Sequence, residues 1–118
     1  TAMNNHKYAH GLLTAALVLV FLYFGIDKFL HPTIWLGFMP LWMDNLLGIG
    51  IDTWLGIIGS MEILFGLFLL FPIKKVRQIG CILIALHLIG IVTIVGWNDI
   101  GVRDTGLLLA ALALLFLE

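Results

Sequence analysis

Cysteine is almost missing from this 118-residue chain. Cys81 stands alone, which excludes an intramolecular disulfide, a CxxC redox pair and a thiolate metal cluster; its setting in Gly80-Cys81-Ile82-Leu83 reads as a buried apolar site. Charge is scarce as well. Asp, Glu, Lys and Arg make up 11% of the residues, less than half the ~25% of an ordinary soluble domain, which excludes a disordered chain or a coiled coil of charged helices. The formal net charge of −1 offers no basic surface for nucleic acid. No Gly-rich phosphate loop, HExxH or GxSxG occurs, and no two histidines fall at one depth for a bis-histidine haem, so no metal site and no covalent mechanism is expected.

Apolar residues are what the chain has. They reach 62% before the 13 glycines are counted, against ~45–50% with glycine included in a soluble domain. The predicted fold is therefore all-α: one integral membrane four-helix bundle forming a single transmembrane domain over residues 1–118. The apolar runs place helices at about 11–30, 54–71, 79–97 and 104–117. Segment 33–52 is aromatic but broken by Pro40, Gly37, Gly48 and Gly50, too irregular for a span. Trp35, Phe38 and Trp42 suit the headgroup level, so it is read as an interfacial cap, or else as a plain anchoring linker.

Lys74, Lys75 and Arg77 hold half of the basic residues, and positive loops stay cytoplasmic. Threading from there puts both termini in the cytoplasm and the cap outside a plasma membrane, together with the Trp97–Asp104 loop. With this threading Asp27, Lys28, Glu62, His87, Arg103 and Asp104 converge in the outer half of the bilayer. Glu62 and His87 are the sharpest positions, because a mid-bilayer charge costs ~2.5–3.5 kcal/mol and is normally paired or faces a polar cavity. Gly59 and Gly66 flank Glu62 and Gly80 and Gly90 flank His87, marking faces of close helix approach. Glu62 and His87 are the candidates for proton exchange; Lys28, Arg103, Asp27 and Asp104 are candidates for holding a ligand's oxygens, with Trp35, Phe38 and Trp42 shielding its ring. Structural readings stand beside these. Asp104 could be the N-cap of the fourth helix, Lys28 could snorkel outward, and Arg103 could clamp Asp27 or Glu62 instead of an anion. Gly56-x-x-x-Ser60 and Gly106-x-x-x-Ala110 could serve internal packing, which is expected, or a homo-oligomer.

Three stretches are similar to a known family: FLYFGIDKFLHPTIW (Phe21 to Trp35), the E-x-x-x-G-L-x-L pattern from Glu62 to Leu69, and WNDIGVRDTGLL (Trp97 to Leu108). Together they resemble the DoxX/DoxD-like family of small four-helix membrane proteins. The matching positions are Gly25, Lys28 and Pro32, then Glu62 and Gly66, then Arg103, Asp104 and Gly106. The family takes its name from subunits of a thiosulfate:quinone oxidoreductase, and its relatives include partners of secreted redox enzymes, maturation proteins and receptor-assembly chaperones. The resemblance implies an accessory membrane subunit of a redox system, not catalytic alone, whose pocket takes a quinone-like or small anionic ligand and whose partner is a redox protein. The alternatives are an assembly factor or scaffold holding a client membrane protein, with purely structural buried charges, and, less favoured, a proton-coupled carrier.

Overall fold

Helix ends in this chain are set by capping and proline rather than by the edges of the apolar runs. The structure, a computed structural model, describes the backbone of residues 2–118 and the side chains of residues 5–118, so Thr1 lies outside the described residues. Helix α1 runs from Ala2 to Leu30. It starts well before the expected Gly11, because nothing between Asn5 and His10 breaks a helix; residues 5–9 continue it as an exposed extension. Helix α2 is the short Pro32–Leu36, opened by proline at its first turn. Helix α3, Ile51–Phe68, ends three residues earlier than the apolar run, because Pro72 disfavours helical backbone just before it. Helix α4, Lys74–Val95, takes in Lys74, Lys75 and Arg77, expected in a loop; lysine and arginine are good helix formers. Helix α5 covers Asp99–Leu117. Its N-cap is Asn98, whose side-chain oxygen accepts from the backbone N–H groups of Ile100 and Gly101 at 3.0 Å each. The N-cap reading of Asp104 is thereby corrected, since Asp104 lies inside the helix and is free for other contacts.

The four long helices are each long and apolar enough to cross a membrane. Helix α1 packs against α3 and α5, and α4 packs against the same two, giving a ring of four in which α3–α4 and α4–α5 are joined by short connections and α1–α3 by the longer segment 31–50. Inside it Leu17, Phe21, Phe65, Leu69, Ile84, Leu88, Ala111 and Leu114 form the core around the buried Cys81. Outward-facing Leu12, Leu19, Leu70, Leu86, Leu109 and Phe116 are exposed, an apolar exterior suited to lipid. The chain is a four-helix membrane bundle.

Two glycines set the closest helix crossing. A β-carbon at Gly25 would lie 2.8 Å from Ile63 Cγ1 and 2.9 Å from the Gly59 carbonyl oxygen, and one at Gly59 would lie 3.0 Å from the Gly25 carbonyl oxygen. Helices α1 and α3 therefore touch backbone to backbone there. Gly66 and Gly80 also face neighbours, whereas Gly90 and Gly106 meet nothing within 4 Å and face outward, contrary to the inward face expected of Gly90. The Gly56 and Ser60 pair lines a shallow outer groove beside Phe29, Thr53 and Met61, and a β-carbon at Gly56 would lie 3.8 Å from the Phe29 ring of α1. At the bundle end away from α2, the Glu118 carboxylate lies 2.6 Å from His10 Nε2 and accepts from Arg77 Nε at 3.1 Å, joining α1, α4 and the chain end.

The segment between α1 and α3 contains α2, a 3-10 turn at Leu41–Met43 and a tight turn bridging Leu46 and Ile49. Asp44 Oδ1 accepts from the Ile51 N–H at 3.1 Å, and Trp54 Nε1 donates to the Leu46 carbonyl at 3.1 Å, so the segment is tied to the start of α3.

Candidate functional site

Three helices bring a lysine, a glutamate and a histidine to one point. Lys28 is three residues after Gly25 on α1, and Glu62 three after Gly59 on α3, so the glycine crossing places both on the same contact face. Lys28 Nζ lies 2.7 Å from Glu62 Oε1, an ion pair whose angle falls short of a directed hydrogen bond. On the far side of the carboxylate, His87 Nε2 from α4 is 3.7 Å from Glu62 Oε2, beyond hydrogen-bond reach. Lys28 is 8% exposed and Glu62 6%, and His87 Nε2 has no hydrogen-bond partner. The His87 ring is wedged edge-on against Phe21 and Phe65, each 6.0 Å away between centroids.

The snorkelling alternative for Lys28 is overturned. Helical side chains lean toward the N-terminus, and this ammonium turns back to within 3.5 Å of the Phe24 carbonyl, into the bundle instead of out along it. Its upper side is covered by Trp35, whose ring centroid is 4.0 Å from Nζ. Trp35 is itself held: its Nε1–H donates to Asp27 Oδ2 at 2.8 Å, and His31 Nδ1 is 2.7 Å from the other Asp27 oxygen. Phe24 and Phe38 pack on the indole at 5.4 and 6.0 Å between centroids.

Arg103 does not clamp Asp27 or Glu62. Its Nε and Nη2 both reach Asp104 Oδ1 at 3.0 Å, and its guanidinium lies 4.7 Å from the Phe24 ring centroid. Adjacent helical residues do not normally face one another, but the long arginine side chain folds back over the short aspartate. Asp104 is 2% exposed, against 39% for the Arg103 side chain.

These groups border a cavity of about 80 Å³. One water needs about 10–15 Å³ in the same measure, so the space takes several waters or a small planar ring system. Lys28, Glu62, Arg103 and Asp104 stand on its wall; the rest is apolar, with Phe21, Phe24, Trp35, Phe38, Met43, Leu55 and Leu88 prominent. Of the residues singled out in the sequence, Lys28, Glu62, Arg103, Asp104, Trp35 and Phe38 line it. Asp27 stands behind Trp35 as its anchor, and His87 stands behind Glu62. Trp42 is 59% exposed and lies off the lining. Sequence reasoning missed Met39, Pro40 and Met43, which put the 3-10 turn against the cavity; His31 joins the site through Asp27, from which it stands at i,i+4 spacing. Among the described residues no group of three metal-ligating side chains is brought together.

No protein-family model, curated protein or solved structure matches the chain.

Proposed function

We propose that the chain is an accessory membrane subunit of a redox system, of the DoxX/DoxD-like kind, and that its cavity receives a lipid-soluble ring bearing oxygen atoms, as a quinone does. The carrying observation is the buried Lys28–Glu62 pair on the wall of an otherwise aromatic and aliphatic cavity. The donor set suits such a ligand: an ammonium and a guanidinium can donate to carbonyl oxygens, Glu62 and Asp104 can accept from hydroxyls, and Trp35, Phe24 and Phe38 offer faces for a planar ring. A bound quinone would supply electron-carrying capacity; the residues hold the ring, keep water from it and exchange protons at Glu62. Its redox partner would dock from outside the plasma membrane, above the Trp35–Met43 segment, which serves as the cap.

Native mass spectrometry of the protein in nanodiscs containing a naphthoquinone tests this reading. A retained quinone adduct, lost in Lys28→Met, is expected; equal adducts in wild type and variant, or none, would remove the pocket from the account.

A second reading has an observation of its own. Lys28 with Glu62, Arg103 with Asp104 and Asp27 with His31 are paired within the chain, the pattern of an assembly factor or scaffold in which ion pairs organise the bundle and its apolar faces hold a client protein. The unpartnered nitrogen of His87 and the cavity itself favour the first reading over it.

A further inference from the structure

The charges on the cavity wall balance without a ligand. Two cations, Lys28 and Arg103, stand against two acids, Glu62 and Asp104, so the lining sums to zero. An oxygen that takes the Lys28 ammonium as its donor competes directly with Glu62, the only carboxylate within ion-pair distance of that ammonium among the described residues. If the arriving oxygen is anionic, the buried site is left one negative charge in excess, which a low-dielectric interior strongly disfavours. A group able to cancel that charge is already in place. His87 Nε2 lies 3.7 Å from the Glu62 oxygen that faces away from Lys28, is nine-tenths buried and has no hydrogen-bond partner. Protonation makes both ring nitrogens donors and places a positive charge beside the carboxylate that Lys28 has released.

We propose that the cavity takes its oxygen-bearing ring as an anion, and that binding is coupled to the uptake of one proton by the Glu62–His87 pair. This rests on the pocket reading given above and adds the ligand's charge and its coupling. No covalent bond changes: the ligand arrives as an anion, the proton comes from bulk water, and the lining returns to zero charge. Other charged groups stand on the long helices around Glu62. From α1 these are Lys28, the cation displaced, and Asp27, already engaged by His31 and Trp35. From α5 they are Arg103 and Asp104, which neutralise each other at 3.0 Å. The segment holding α2 puts only Trp35, Phe38, Met39, Pro40 and Met43 on the wall, none of which titrates in this range. His87 on α4 is left as the acceptor.

Calorimetric titration of the full chain in nanodiscs tests the coupling, using a hydroxynaphthoquinone, which is an anion at neutral pH, and its methyl ether, which cannot ionise. Buffers of different ionisation heat give the number of protons taken up. For wild type one proton per bound hydroxynaphthoquinone is expected, with Kd rising about tenfold per pH unit over the range in which that full proton is taken up; the ether should bind with no proton and no pH slope. Glu62→Gln removes the acid that needs compensating, so it should bind the anion at least as tightly as wild type with no proton uptake. His87→Gln should lower the uptake and weaken binding of the anion at neutral pH. If both naphthoquinones bind wild type and no proton is taken up, the coupling is overturned while the pocket stands. If neither binds, the pocket reading fails and takes this inference with it. Full uptake retained in Glu62→Gln would move the proton away from this pair and overturn the assignment; full uptake retained in His87→Gln would put the proton on Glu62 and overturn the role given to His87. The wild-type proton count decides the coupling even if a variant does not fold.

Discussion

Lys28 sits two residues from the end of α1, where an ammonium would ordinarily reach outward to the headgroups; here it turns inward and meets Glu62 at 2.7 Å. Removing one member of such a pair leaves the other charged and buried. Lys28→Met is therefore expected to destabilise the bundle by ~3–5 kcal/mol, and the double variant Lys28→Met/Glu62→Met to recover most of that loss, both read from thermal unfolding in detergent. A single variant that melts like wild type would mean that Glu62 is already neutral or solvated. Arg103 differs, because its side chain is 39% exposed while its partner Asp104 is buried. Arg103→Ala should cost less, ~1–3 kcal/mol, through the acceptor left without its donor. The depth of Glu62 and His87 was legible in the sequence, since an ionisable residue inside an apolar run stands out. Partner choice was not, because complementary sign at similar depth does not fix a rotamer: Arg103 could have reached Asp27 or Glu62, and it folded back on its own neighbour instead.

At the scale of helices, the sequence showed that four spans exist but not where they stop. Hydropathy marks the membrane-embedded part, whereas Asn98, Pro72 and the helix-tolerant Asn5–His10 stretch decide the ends. Glycine spacing was similarly ambiguous. Gly59 and Gly90 both stand three residues from a buried ionisable side chain, yet Gly59 touches the Gly25 backbone and Gly90 touches nothing. Two substitutions separate the cases. Gly25→Leu must push α1 away from α3 where a β-carbon already meets Ile63 at 2.8 Å; it is expected to cost more than the ~1–3 kcal/mol of ordinary overpacking and to break the Lys28–Glu62 contact. Gly106→Ala, in open space within α5, should be neutral or stabilise by ~0.5–1 kcal/mol through helix propensity. Comparable loss in both, by thermal unfolding, would show that Gly106 also faces a close neighbour. The tight turn before α3 carries a different strain: Leu47 is held at φ 55°, in the left-handed region where a side chain costs roughly 1–2 kcal/mol. Leu47→Gly is expected to raise the melting temperature; a lowered one would show that the exposed leucine contributes more by anchoring than its backbone costs.

For the whole molecule, the bundle has two unlike ends, and membrane orientation decides which medium each one meets. The cavity end holds Lys28, Glu62, Arg103, Asp104 and the aromatic segment, while the other end holds His10, Arg77 and Glu118. Lys74, Lys75 and Arg77 lie in the first turns of α4, beside the Leu69–Ile73 connection, so their helical setting leaves the charge asymmetry between the two ends intact. Basic residues near the ends of spans are retained on the cytoplasmic side, and the acidic Asp44, Asp52 and Asp99 lie toward the cavity end. The expected arrangement therefore has the cavity end facing outward. A cysteine placed at Asn98, the exposed cap of α5, should react with a membrane-impermeant thiol reagent added to intact cells, and one at Gln78, in the second turn of α4, should react only after permeabilisation. The native Cys81 is buried and gives little background. Reversed labelling would turn the cavity toward the cytoplasm. A redox partner would then have to be sought there, and the proton taken up with an anionic ligand would come from the cytoplasmic side instead of the outside.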